Sequence, residues 1–214
     1  MQDRRRIGQL QSVLMPSVLP VLTIDRLENA VPLAQALVDG GLLSLEITLR
    51  TRDALSALSV IAGSLPEVRV GAGTIRSPEQ AEAAINAGAQ FLVSPGMTPR
   101  LIEAAQHWPV PFLPGAATAS EAMALADLGY CIQKFFPASA SGGPDTLKSL
   151  AAPLADIQFC PTGGIDAANA HDYLVLPNVI CVGGSWVAPQ QAIERGDWST
   201  ITTLAQNASA LGQR

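Results

Sequence analysis

"SLEITLR", residues 44–50, alternates apolar and polar side chains: Leu45, Ile47 and Leu49 share one face of an extended strand, and Glu46, Thr48 and Arg50 share the other. Short apolar runs of this kind recur along the chain: "VLPVLTI" from residue 18, "VRVGAGT" from 68, "FLVSP" from 91 and "PFLPG" from 111. They continue with "CIQKFFP" from 131, "IQFCPTGG" from 157 and "VICVGGS" from 179. Their starts lie 20 to 26 residues apart, room for one strand, two loops and one helix. The intervening segments, such as "LENAVPLAQALVDGG", "SPEQAEAAINAGA" and "TASEAMALADLG", open near capping or acidic residues and end close to glycine, as helices do. Strands alternating with helices predict parallel pairing through right-handed crossovers. Eight such units are what a (β/α)8 barrel requires, here as one α/β domain over residues 1–214 preceded by an N-terminal helix. An open doubly wound sheet is the competing architecture. It would call for a nucleotide fingerprint, and "GAGT" at 71–74 runs into Ile75 and Arg76 without the Gly-x-Gly-x-x-Gly spacing.

Composition narrows the function. A hydrophobic fraction of 48% over 214 residues argues for a packed core, and a net charge of −5 argues against a nucleic-acid partner. An anionic ligand must therefore be held by local groups. The basic start, Arg4-Arg5-Arg6, followed by an apolar run resembles a signal peptide, but Pro16 and Pro20 interrupt the run and no small-residue cleavage site follows. No uninterrupted apolar stretch reaches the length of a membrane span. Cys131, Cys160 and Cys181 form an odd set without Cys-x-x-Cys spacing, each in an apolar segment. They read as buried free thiols in a cytoplasmic protein. His107, His171 and the three tryptophans lack the company of a catalytic or metal-binding cluster, so no metal is expected.

The chain has two lysines, Lys134 and Lys148, against eleven arginines. Lys134 stands in the apolar run "CIQKFFP", where a lysine can give up its proton on desolvation and an arginine cannot. Because the apolar face of "SLEITLR" must meet the helices, Glu46 and Arg50 turn towards the barrel interior. Ile132, Lys134 and Phe136 share a face, and an inward Lys134 on the sixth strand meets Glu46 on the second across the interior. A buried structural ion pair is the plainer alternative, although such pairs commonly cost more desolvation than they return. "PTGG" and "VGGS" end the seventh and eighth strands, with Thr162 and Ser185 adding hydroxyls. Such glycines let backbone N–H groups approach a phosphate, assisted by the dipole of a short following helix; the alternative is that they serve turn conformation only. Lysine, carboxylate, arginine and phosphate turns together point to imine chemistry on a phosphorylated keto acid.

The set "LEITLRT", "GAGT", "SPGMT", "KFFPA", "FCPTGGI" and "GGSW" resembles 2-keto-3-deoxy-6-phosphogluconate (KDPG) aldolase, the bacterial class I aldolase family of the Entner–Doudoroff pathway, whose members also include 4-hydroxy-2-oxoglutarate aldolases. The resemblance runs from the first strand to the final helix. It implies that Lys134 forms the imine, Glu46 shuttles protons and Arg50 binds the pyruvyl carboxylate. Thr74, Pro95 and Phe136 then line the pocket, and Thr162, Gly163, Gly164, Gly183, Gly184 and Ser185 hold the phosphate. It also implies a homotrimer with neither a metal nor an organic cofactor. The sequence departs from relatives at Ser139, where glutamate is frequent, and in the small-residue segment "GAATASE". Thr162 favours the gluconate series, since galactonate-series relatives tend to carry valine there. A phosphosugar isomerase or epimerase barrel would share the phosphate turns without needing the lysine, and a catalytically silent phosphate-binding barrel would need neither Lys134 nor Glu46.

Overall fold

A computed structural model describes residues 4–14 and 17–211; Pro16 lies outside the described residues. The described residues begin with α1 (Arg4–Leu14) and then alternate β1 (Val18–Leu22), α2 (Ala30–Asp39), β2 (Ser44–Thr48), α3 (Ala54–Ser64), β3 (Arg69–Gly73) and α4 (Pro78–Asn86). There follow β4 (Leu92–Val93), α5 (Pro99–Ala105), β5 (Phe112–Leu113), β6 (Gly115–Ala116), α6 (Ala119–Asp127) and β7 (Ile132–Phe135). The last elements are α7 (Gly143–Ala151), β8 (Gln158–Pro161), α8 (Ala170–Leu174), β9 (Val182–Gly184), α9 (Gln190–Arg195) and α10 (Trp198–Ala210). Several helices start where the sequence places caps. Ser77 and Thr98 accept from the N–H groups of Gln80 and Leu101, each followed by a proline in the first turn, and Thr118 with Glu121 forms a reciprocal capping box.

Every strand pairing is parallel. One sheet has the order β5-β4-β3-β2-β1-β9 and the other the order β6-β7-β8. The α/β class and the parallel pairing are as the sequence predicts, but the expected fifth strand is divided. Pro114 separates β5 from β6, because a proline offers no N–H to a neighbouring strand. Its carbonyl still accepts from Lys134 N at 2.9 Å. Between the two sheets, isolated parallel bridges pair Phe159 with Val179 and Thr162 with Gly183.

The apolar residues segregate into two clusters. In the larger, Leu45 and Ile47 of β2 and Val70 and Ala72 of β3 pack with helix residues such as Leu33, Leu37, Leu58 and Ile61. In the smaller, Leu10, Val13 and Leu14 of α1 meet Leu19, Phe91, Val93, Leu113, Ile132, Cys160 and Cys181. The amphipathic N-terminal helix thus closes off the inward side chains at the start of the strands. That floor lies one alternation below Lys134, since Ile132 and Lys134 share a face of β7. Among the described residues no helix is long and apolar enough to cross a membrane.

All three cysteines are free. Cys160 and Cys181 are buried with their sulfurs 3.2 Å apart, whereas Cys131, which precedes β7 at the lower rim, is partly exposed rather than fully buried as expected. Burial, followed by the hydrogen bond to Cys160, raises the Cys181 thiol well above its ordinary pKa, so its reactive thiolate is scarce at neutral pH. Titration of the native protein with an aromatic disulfide reagent at pH 8 should therefore label Cys131 alone, with the other two thiols reacting only after denaturation. Rapid native labelling of Cys160 or Cys181 would contradict the packing of this floor.

Candidate active site

Glu46 lies at the centre of β2 and Lys134 on β7, strands that belong to different sheets. Their side chains meet across the interior, with Lys134 Nζ 3.3 Å from Glu46 Oε1 and only 4% and 1% of the two residues exposed. The contact requires a gap in β3. A methyl group at Gly73, the register partner of Thr48, would come within 2.0 Å of Glu46 Oε1. The Lys134 ammonium also stands 5.5 Å from the centre of the Phe136 ring. Pro95 packs on Gly115, the register partner of Lys134, where an added Cβ would lie 2.4 Å from its backbone.

Arg50 follows β2 and is exposed at the strand end rather than buried in the interior. Its Nε donates to Thr74 Oγ1 at 3.0 Å. Thr74 is the one non-glycine residue with positive φ among the described residues, at 61°. For a β-branched side chain that backbone conformation is strained by roughly 1–3 kcal/mol. Because only Nε is engaged by Thr74, the four N–H groups on the two Nη atoms remain for a planar anion.

Above the ion pair opens a cavity of about 180 Å³ lined by Val21, Thr23, Arg50, Phe136, Ile165 and both glycine turns: Thr162, Gly163 and Gly164 on one side, Gly183, Gly184 and Ser185 on the other. Lys134 and Glu46 are below the lining, with the Phe136 ring common to cavity and lysine. Thr74 and Pro95 are also outside the lining. Gly163 and Gly164 adopt left-handed backbone, with φ of 101° and 72°. The carbonyls of Thr162 and Gly163 accept from Ala138 N and Ser139 N, at 2.8 and 3.0 Å, and Ser139 Oγ donates to the Gly164 carbonyl at 2.8 Å. With its carbonyls tied outward, the turn has its Gly163 and Gly164 N–H groups unengaged by any described residue. The helix dipoles expected beside the turns are elsewhere: α8 begins at Ala170 and α9 at Gln190, past both glycine pairs. After the first turn, Asp166 Oδ1 accepts from Ala168 N and Asn169 N, which delays the helix. An anion here would meet backbone N–H and hydroxyl donors instead.

Residues 11–204 match the family described as KDPG and KHG aldolase. The chain belongs to this family. It is 49% identical over 191 residues to the KHG/KDPG aldolase of Escherichia coli K12, covering 89% of this chain and 90% of that protein. It is 50% identical over 193 residues to the 2-dehydro-3-deoxy-phosphogluconate aldolase of Dickeya dadantii, covering 90% and 91%. A crystal structure of KDPG aldolase from Legionella pneumophila, with pyruvate captured as a covalent carbinolamine, superposes with a TM-score of 0.90 at 46% identity, covering 92% of this chain and 96% of that one.

Two residues of this candidate site, Gly73 and Thr23, have no place in the sequence reading, and Ser139 enters it only as a departure from relatives. Gly73 stands in the quoted "GAGT", but its neighbour Glu46 is remote in sequence. Thr23 lines the cavity from the end of "VLPVLTI", and Ser139 braces the Gly164 carbonyl. A hydroxyl residue at a strand end is the signal available for Thr23. Gly73→Ala should push the Glu46 carboxylate off its contact with Lys134, and displacement of a catalytic group by about 1 Å can cost on the order of 10²-fold in rate. The measurement is kcat/KM in folded protein; an unchanged value would show that the gap in β3 is not needed.

Proposed function

We propose that this chain is a class I aldolase that cleaves KDPG to pyruvate and glyceraldehyde 3-phosphate, and also acts on 4-hydroxy-2-oxoglutarate. The observation that carries this reading is the buried Lys134–Glu46 contact beneath a cavity bearing a guanidinium and two glycine turns. In the proposed sequence of steps the neutral Lys134 amine adds to C2 of the keto acid, and loss of water from the carbinolamine gives a protonated imine. That cation accepts the electron pair of the C3–C4 bond while Glu46 takes the C4 hydroxyl proton, directly or through water. Glyceraldehyde 3-phosphate departs, the enamine is protonated at C3, and hydrolysis of the imine releases pyruvate and the amine. Arg50 binds the carboxylate through its Nη groups, with Thr74 fixing the guanidinium; Pro95 and Phe136 flank the imine. The N–H groups of Gly163 and Gly164 and the Ser185 hydroxyl receive the phosphate in the cavity that Thr162, Gly183 and Gly184 also line. The chemistry is carried by side chains without a metal or organic cofactor.

The remaining parts of this reading concern architecture and setting. With β5 and β6 taken as two halves of one strand, the parallel bridges Phe159–Val179 and Thr162–Gly183 support closure of the sheets into a single-domain (β/α)8 barrel. The family resemblance supports a homotrimer, and two adjacent thiols that remain unbridged suit a reducing cytoplasm.

Borohydride added with pyruvate should inactivate the protein and attach a reduced pyruvyl group to Lys134, located by peptide mass mapping, while Lys134→Arg should be inactive and unlabelled. Label confined to Lys148, or full aldolase activity without label, would refute the imine. Glu46→Gln should still be trapped by borohydride but lose roughly 10²–10⁴-fold in kcat, the range for a general acid–base. An unchanged kcat with a lowered melting temperature would make Glu46 a structural partner only.

A further inference from the structure

We propose that Thr23 is a specificity-determining residue that accepts a hydrogen bond from the substrate hydroxyl nearest the phosphate. Thr23 follows β1 immediately and, because Leu22 is in register with Ile47, stands beside Thr48 at the end of β2. Thr48 is fully buried. Its Oγ1 lies 2.9 Å from the Leu22 carbonyl oxygen and 3.1 Å from Thr23 Oγ1. A carbonyl can only accept, and a hydroxyl owns one proton, so Thr48 must give its proton to Leu22. The Thr23–Thr48 contact is then a hydrogen bond only if Thr23 supplies the proton. Thr23 is left with acceptor capacity alone, and it is partly exposed on the cavity wall.

The donors around this cavity are the Arg50 guanidinium and the Gly163 and Gly164 N–H groups, joined by the Ser185 hydroxyl, which can do either, and by the Thr162 hydroxyl, whose proton is directed at the Cys160 carbonyl 3.5 Å away. Carboxylate and phosphate oxygens suit those donors and are repelled by a lone-pair surface. A neutral hydroxyl is the part of the substrate that Thr23 can take. The assignment rests on the aldolase reading, in which the C4 hydroxyl proton passes to Glu46, so the hydroxyl left for Thr23 is that on C5, carbon 2 of the released glyceraldehyde 3-phosphate.

The test is condensation of pyruvate with two aldehydes, glyceraldehyde 3-phosphate and 3-oxopropyl phosphate, which differ only in that hydroxyl. The readout is the ratio of kcat/KM for the first over the second. The parent protein should favour the hydroxylated aldehyde, and Thr23→Val should lower the ratio by about 2- to 12-fold, the range of one neutral hydrogen bond. Thr23→Ser, which keeps the hydroxyl, should retain the parent ratio. A parent ratio near one, an equal loss on both aldehydes in Thr23→Val, or a Thr23→Ser ratio matching that of the valine variant would overturn the assignment. No condensation of either aldehyde by the parent would instead refute the aldolase reading and the assignment with it.

Discussion

An ammonium and a carboxylate removed from water each lose several kcal/mol of solvation, and a single 3.3 Å contact in the interior does not generally return it. The Lys134–Glu46 pair therefore has to be carried by the rest of the fold. The support visible in this chain is the apolar floor beneath it. Leu10, Val13 and Leu14 of α1 pack on Leu19, Ile132, Cys160 and Cys181, closing the interior from the side opposite the cavity. The larger cluster between strands and helices then holds β2 and β3 so that the polar face of "SLEITLR" has nowhere to turn but inward.

The pair, with Thr162 and Trp186, accounts for a distribution of small residues that would otherwise weaken the sheets. Glycine within a strand gives up packing and conformational entropy. At positions 73 and 183 it makes room for Glu46 and Thr162, and at 184 for the Trp186 ring, which an added Cβ would approach to 1.7 Å. The space left by each absent side chain is filled by a neighbour: Glu46, Thr162 or Trp186. Packing and site are in this respect one arrangement.

The sequence was legible wherever strand alternation governs. Glu46 and Lys134 sit inside strands, so the two-residue period was enough to aim both inward. Arg50 lies past the last paired residue of β2, yet the same alternation directs it to the mouth, where it is exposed and lines the cavity. The fifth strand looks continuous in the sequence because its apolar character hides the missing N–H of Pro114. The sequence predicts helix dipoles at the glycine turns because Gly-Gly commonly leads straight into a helix. A local side-chain turn at Asp166 postpones α8, and Pro189 stands between Ser185 and α9. The hydroxyl relay from Thr23 through Thr48 to Leu22 depends on two strands coming into register, which one strand's pattern does not contain.

The left-handed backbone at Thr74 sets a stability optimum against the binding of Arg50. Glycine at this position would relax the chain, and a search for thermostable variants guided by backbone preference alone would select it early. It would also remove the oxygen that orders the guanidinium, returning Arg50 to the many rotamers of a free surface arginine. With Arg50 in its proposed role, a more stable protein obtained in this way would have a looser grip on carboxylates, and heat resistance and substrate capture would pull this one residue in opposite directions.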